Sequence, residues 1–241
     1  MSLRAWSPFI PGDIAASSIP GAVFEVHLNN TSDTVRTGSI AFSFGGPTNE
    51  EAESERFSRR LVKGKFNGLA INGSAAGYAV GVIGEEKIRT GGALLRDGKA
   101  WAQIDKILPE PQVNNEDILE NSHSGASVAV DFSLDTGQAK TVRFILAWYT
   151  PQWYGYKGAS NNKFTRAYTL RYSNALDVAY RLAEDHHDIL QRIIKWQQVV
   201  YSDNDMPIWL REALINNLYL ITESGYWALP RPPLGDWCFP M

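Results

Sequence analysis

One change of rhythm governs what this chain can become. Up to about Tyr149 its apolar residues recur at every second position, and beyond Asn174 they recur at every third or fourth. Phe24, Val26 and Leu28 alternate with Glu25 and His27, and Val128, Val130, Phe132 and Leu134 repeat the pattern. Successive strand side chains point to opposite faces, so each run reads as a half-buried strand. In 174–201, Leu176, Ala179, Ala183, Leu190, Ile193 and Gln197 keep helical spacing, enough for one helix of about seven turns. Strands come first and helices follow, so the fold class is β + α in two segments, the first a β-sandwich.

The turns between strands refine this. Asn29 to Asp33 supplies turn residues between the first run and residues 35–44, and Asp135-Thr136-Gly137-Gln138 joins the run ending at Leu134 to residues 142–149. Both read as hairpins. Residues 77–84 and 99–104 read as further short strands. Residues 49–65 carry Glu50, Glu51, Glu53 and Glu55, then Arg56, Arg59, Arg60, Lys63 and Lys65, a block that reads as a solvated loop or short helix. Residues 108–121, with Pro109 and Pro111, read as a second surface excursion.

Residues 151–168 hold Trp153, Tyr154, Gly155, Tyr156 and Gly158 without a period, as in an aromatic linker. A second helix is expected with Asp205 as N-cap, Pro207 in its first turn and Gly225 as its stop. Leu210, Ala213, Leu214, Asn217, Leu218 and Ile221 make one stripe and Ile208, Ile215 and Tyr219 another, so this helix reads as buried nearly all round. The expected divisions are a sandwich over 1–150, a linker over 151–172 and helices over 173–241.

Composition excludes several functions. The 241 residues are 44% hydrophobic and 20% charged, with net charge −3, so the chain lacks the basic balance of a nucleic-acid binder. Fourteen basic residues face seventeen acidic ones over 1–150, and nine face nine over 151–241. The single cysteine, Cys238, supplies neither an intrachain disulfide nor a Cys-rich zinc site. No apolar run reaches about 20 residues and the start is unlike a signal peptide, so the chain reads as cytoplasmic, with membrane association left open.

Nucleophile-elbow, H-E-x-x-H, Walker A and G-x-G-x-x-G patterns are missing, and no cofactor is expected. Of the histidines His27, His123, His186 and His187, the last two are adjacent and point about 100° apart on a helix, so they do not form a metal pair. No metal site is expected. His123 between Ser122 and Ser124 reads as a polar turn. Asn29-Asn30-Thr31 and Asn72-Gly73-Ser74 match the glycosylation tripeptide, a pattern common by chance.

Tryptophan is concentrated late, six of eight in the last 94 positions. Ser224-Gly225-Tyr226-Trp227 and Gly235-Asp236-Trp237 place indoles and a carboxylate together after the second helix. Sugars offer apolar ring faces and hydroxyls, so Trp227, Asp236 and Trp237 are the candidate substrate-binding residues. Core filling is the competing reading of these tryptophans.

Two sets of residues carry a family resemblance. Ser7-Pro8-Phe9-Ile10-Pro11-Gly12-Asp13, then Ser17-Ser18-Ile19-Pro20 and Phe24-Glu25, are similar to the N-terminal domain of glycoside hydrolase family 116, the non-lysosomal glucosylceramidases and bacterial β-glucosidases. Trp196-Gln197, Met206-Pro207-Ile208-Trp209-Leu210, the segment from Leu214 to Tyr219, and Gly225-Tyr226-Trp227 resemble the opening helices of its catalytic domain.

The resemblance implies an incomplete β-sandwich followed by the first helices of an (α/α)6 barrel. It also implies hydrolysis of β-glucosides or glucosylated lipids with retention, by two carboxyl groups roughly 5 Å apart. In the family both lie beyond the helix that ends here at Gly225, so no catalytic residue is assigned to this chain. Family members also carry a Gly-rich opening that is absent before Ser7. The chain therefore reads as an internal piece, inactive alone, meeting a carbohydrate or glycolipid through its parent enzyme.

Two alternatives stay open: a glycoside phosphorylase or glucoamylase-like enzyme of the same architecture, and a non-catalytic carbohydrate-binding module. A module requires a covered helix over 210–221 and a closed sandwich. A fragment requires an exposed apolar helix face and unpaired strand edges.

Overall fold

The computed structural model describes residues 1–85, 87–120, 124–154, 163–224, 226–227 and 237–238. Ten strands build a sandwich: β1 (Ser2–Trp6), β2 (Gly21–Asn29), β3 (Arg36–Phe44), β4 (Arg56–Val62), β5 (Phe66–Asn72), β6 (Gly77–Ile83), β7 (Arg89–Gly91), β8 (Glu116–Glu120), β9 (Ala126–Leu134) and β10 (Ala139–Tyr149). Seven form one sheet in the order β1-β2-β10-β6-β5-β4-β8, and three form the other in the order β3-β9-β7. Phe57, Leu69, Ile71, Val80, Val82, Val128, Val130, Val142 and Phe144 fill the space between them, with Phe24 and Phe42 packed against that core. The β-rich first segment is thus as the alternation predicts.

The two expected hairpins are not hairpins. β2 and β3 lie in different sheets, as do β9 and β10; β2 pairs instead with β10, and β3 with β9. Each turn is an arch that carries the chain from one sheet to the other, and the two arches are joined. Asn30 N–H donates to Gln138 O at 2.9 Å and Gly137 N–H donates to Asn30 O at 2.9 Å. The Asn30 amide, 4% exposed, donates to the carbonyls of Thr34, Leu134 and Asp135. Period-two alternation is the same in a hairpin and in an arch, so only partner choice separates them.

Three further segments differ from expectation. Residues 99–104 form no strand: 99–102 fall in a short helix, α3 (Gly98–Ala102), which Asp97 caps by accepting from the Lys99 and Ala100 amides, and 103–104 lie in the turn after it. The acidic half of the 49–65 block is a short helix as expected, α2 (Asn49–Ala52), opened by a Thr48/Glu51 capping box, but its basic half is strand β4 within the large sheet. Glu116–Glu120, placed within a surface excursion, is edge strand β8; in register with β4 it sets Glu116 opposite Arg60 and Glu120 opposite Arg56. Arg56 and Arg60 of the block thus have acidic residues opposite them across the strands.

Helix α4 (Ala175–Tyr201) follows the predicted span closely; Asn174 Oδ1 accepts from Asp177 N–H at 3.0 Å. Its first turns lie on the face of the large sheet opposite the sandwich core, where Val23, Ala79, Ile145 and Ala147 are fully buried along with Val178, Ala179 and Leu182. Small residues in the sheet admit the helix. A Cβ on Gly21 would stand 2.5 Å from Leu182 Cδ1, and Tyr180 meets Phe66 edge-on with ring centroids 6.4 Å apart.

Two compact units divide the chain. The first holds Met1–Ser7, Pro20–Thr150 and Asn174–Glu184, the sandwich with the opening turns of α4. The second holds Pro8–Ile19, Pro151–Ser173 and Asp185–Met241. In the second, the segment read as a linker contains two paired strands, β11 (Gln152–Tyr154) and β12 (Lys163–Thr165), then a 3₁₀ turn over Ala167–Leu170.

Helix α5 (Ile208–Ser224) begins later than expected. Pro207 O accepts its first bonds, from the Leu210 and Arg211 amides, and Asp205 lies outside it. It is also not buried nearly all round. Over 208–218, Ile208 is 69% and Trp209 68% exposed, Leu214 is exposed, and Ile215 is buried. Within its unit α5 meets α4 through polar links, Arg211 to Tyr201 O at 2.7 Å and Tyr201 to Glu212 at 3.3 Å.

Candidate functional site

The sequence-predicted site is split by the structure. Trp227 and Trp237 are Cα partners in a two-stranded ladder of β13 (Tyr226–Trp227) and β14 (Trp237–Cys238), with Tyr226 opposite Cys238. Ten residues apart in sequence, the two tryptophans are brought to one register position. Asp236 lies outside the described residues, as do Ser122 and His123. Ser124 is buried and donates to Pro47 O at 3.2 Å. His186 is half-buried and His187 exposed on α4, and among the described residues no three His, Cys, Asp or Glu side chains gather as a metal site.

The N-terminal motif does a definite job in the second unit. Asp13 caps helix α1 (Ile14–Ser17), accepting from Ala16 N–H at 2.9 Å, and its other oxygen pairs with Arg192 of α4. Ser17 Oγ donates to Ile10 O at 3.0 Å and accepts from Ile10 N–H at 2.9 Å. Phe9 and Trp196 pack edge to face with centroids 5.9 Å apart, and Trp196 Nε1 donates to Phe9 O at 2.8 Å. Motif residues 187 positions apart therefore lock the 8–19 segment onto α4.

Two buried charges went unread. Glu25, 2% exposed, accepts from Arg143 Nε at 2.9 Å and stands 3.4 Å from Arg4, its neighbours across β10 and β1. His27 completes the group, with Nδ1 3.0 Å from Thr141 Oγ1 and Nε2 3.9 Å from Glu25. Arg59, 1% exposed, donates to Gln112 Oε1 at 2.6 Å, Glu110 O at 2.9 Å and Gly125 O at 3.4 Å. Burial lowers its pKa against the opposing pull of Glu110 and Asp117. Glu25 sits on the polar half of its strand's alternation, and Arg59 within a charge block, so pattern alone assigns both to solvent.

A glycosidase acid needs a carboxyl pushed up, so that it holds a proton at neutral pH. Among the described residues, the carboxyls that depart from their ordinary values are all held low. The Ala16 amide and then Arg192 lower Asp13; for Asp131, burial is outweighed by bonds from Arg89 and Ser39; Lys65 lowers Glu184. These groups are bound as anions, suited to ion pairing and not to proton donation.

The family model described as beta-glucosidase 2, glycosyl-hydrolase family 116 N-term, matches residues 1–189. The chain belongs to glycosyl-hydrolase family 116. The match covers the sandwich, the 8–19 segment and the first part of α4, so the family's N-terminal domain accounts for the β-rich part; Arg192 and Trp196, the α4 side of the lock, lie beyond it. Membership points to a glycoside hydrolase as the protein to which these residues belong.

Proposed function

We propose that this chain is part of a retaining β-glucosidase or glucosylceramidase that cleaves β-glucosidic bonds in glucosides or glucosylceramide. In this reading the catalytic carboxylates lie outside these 241 residues, the barrel begins with α4 and α5, and the chain alone is inactive. The family match over residues 1–189 carries the proposal.

Trp227, Asp236 and Trp237 are proposed as part of the sugar-binding surface, supported by the pairing of the two tryptophan positions. The reading places the enzyme in the cytoplasm and requires no cofactor, because paired carboxyl groups perform the chemistry themselves.

The deciding assay is hydrolysis of 4-nitrophenyl β-glucoside by the purified chain and by the full reading frame that contains it. The full protein is expected to release 4-nitrophenol and the 241-residue chain none. Turnover by the chain, abolished by one substitution within it, overturns the assignment. In the full protein, Trp227→Ala and Trp237→Ala are each expected to raise KM more than they lower kcat.

A further inference from the structure

We propose that the open edge of β8 docks an extended, basic peptide segment as an added strand of the large sheet. Among the described residues, β8 ends the strand order and pairs only with β4. Leu61 N–H donates to Asn115 O at 2.9 Å, which fixes the alternation: Asp117 and Leu119 turn their backbone groups toward β4, and Glu116, Ile118 and Glu120 turn theirs to the open side. Among the described residues no backbone group bonds to that side. A shallow cleft of about 520 Å³ borders it, lined by Glu110, Pro111, Asp117, Ile118, Leu119 and Glu120.

Charge selects the occupant. The lining's one cation, Arg59, is buried, bonded to three acceptors and 3.9 Å from the Glu110 carboxylate, so the exposed charge along the edge is that of Glu116 and Glu120. Within the fold β8 already accepts one basic strand, whose Arg56 and Arg60 stand opposite Glu120 and Glu116. The open edge repeats the same acidic spacing toward a newcomer. A second copy of this chain, adding β8 to β8, would set glutamate against glutamate, which disfavours self-pairing. The fitting segment has Lys or Arg at two positions four apart and an apolar, β-branched residue between them to cover Ile118, 69% exposed. The binding test below does not depend on the hydrolase reading.

The test uses the intact chain and a blocked peptide that copies β4 with Ser58→Val, Arg-Phe-Val-Arg-Arg-Leu-Val, which sets the valine opposite Ile118. Two control peptides carry Arg56→Glu with Arg60→Glu, or N-methyl groups on alternate residues. Binding is read by fluorescence anisotropy and by amide exchange. The basic peptide is expected to bind at least tenfold more tightly than either control, more weakly as salt rises, and to protect the amides of Glu116, Ile118 and Glu120.

Equal binding of all three peptides, or no binding at millimolar peptide, overturns the proposal. So does protection that avoids those three amides, which would mark exchange with β4. Concentration-dependent self-association with protection of the same amides would identify a second copy as the occupant and overturn it as well. The N-methyl control leaves the protein unaltered, so the test does not hinge on a variant that must fold.

Discussion

Arg59 shows how one side chain can hold a loop and a sheet together. Its guanidinium is buried, yet every direction it faces offers an acceptor: Gln112, the Glu110 carbonyl and the Gly125 carbonyl. Removing it strands those acceptors, and Arg59→Met is expected to cost about 3 kcal/mol in a urea titration. Arg59→Lys should recover little, because one ammonium cannot reproduce the planar fork. Asn30 plays the matching part at the arches, and Asn30→Ala, which removes three amide donations, should also cost about 3 kcal/mol. Asp13 gives a pH signature. Its folded-state pKa lies below the ordinary 3.8, so its contribution is present above that value and is lost as pH falls through the folded value. Thermal midpoints of the wild type should therefore fall more steeply on acidification in that range than those of Asp13→Asn, and parallel curves would refute the linkage.

At the scale of elements, close approach matters more than propensity. A Cβ on Gly68 would stand 2.1 Å from Val80 O and 2.5 Å from the Gly81 Cα, both backbone atoms with no room to yield. Gly68→Ala is expected to cost about 3 kcal/mol or to prevent folding, measurable by circular dichroism and thermal melts. The lock between the 8–19 segment and α4 rests on Phe9, Trp196, Asp13 and Arg192. Trp196→Ala removes both the ring contact and the indole bond. It should open that segment to limited proteolysis while the sandwich ladders keep their amide protection, since β2 and β10 do not depend on it.

For the whole molecule, the outstanding feature is apolar surface left in view on α5, where no helix of the described residues is long and apolar enough to cross a membrane. Trp209→Ser with Ile208→Ser should change stability by less than about 0.5 kcal/mol while reducing binding of an apolar dye; a large loss of stability would mean this face is covered after all. Much of this architecture could be read from residue order. Period two in the first part and the three-four spacing of Leu176, Ala179 and Leu190 identify strands and helix α4, because side-chain direction repeats with backbone geometry. The motif around Phe9 and Asp13 likewise identified the family from local sequence. What alternation cannot carry is which strand lies beside which: β2 and β3 read as a hairpin and proved to be an arch, since pairing is decided by backbone groups distant in sequence. Burial of Glu25 and Arg59 was hidden for the same reason. A charge is legible in one residue, but the acceptors that let it leave water come from other strands and loops, and only the tertiary structure assembles them.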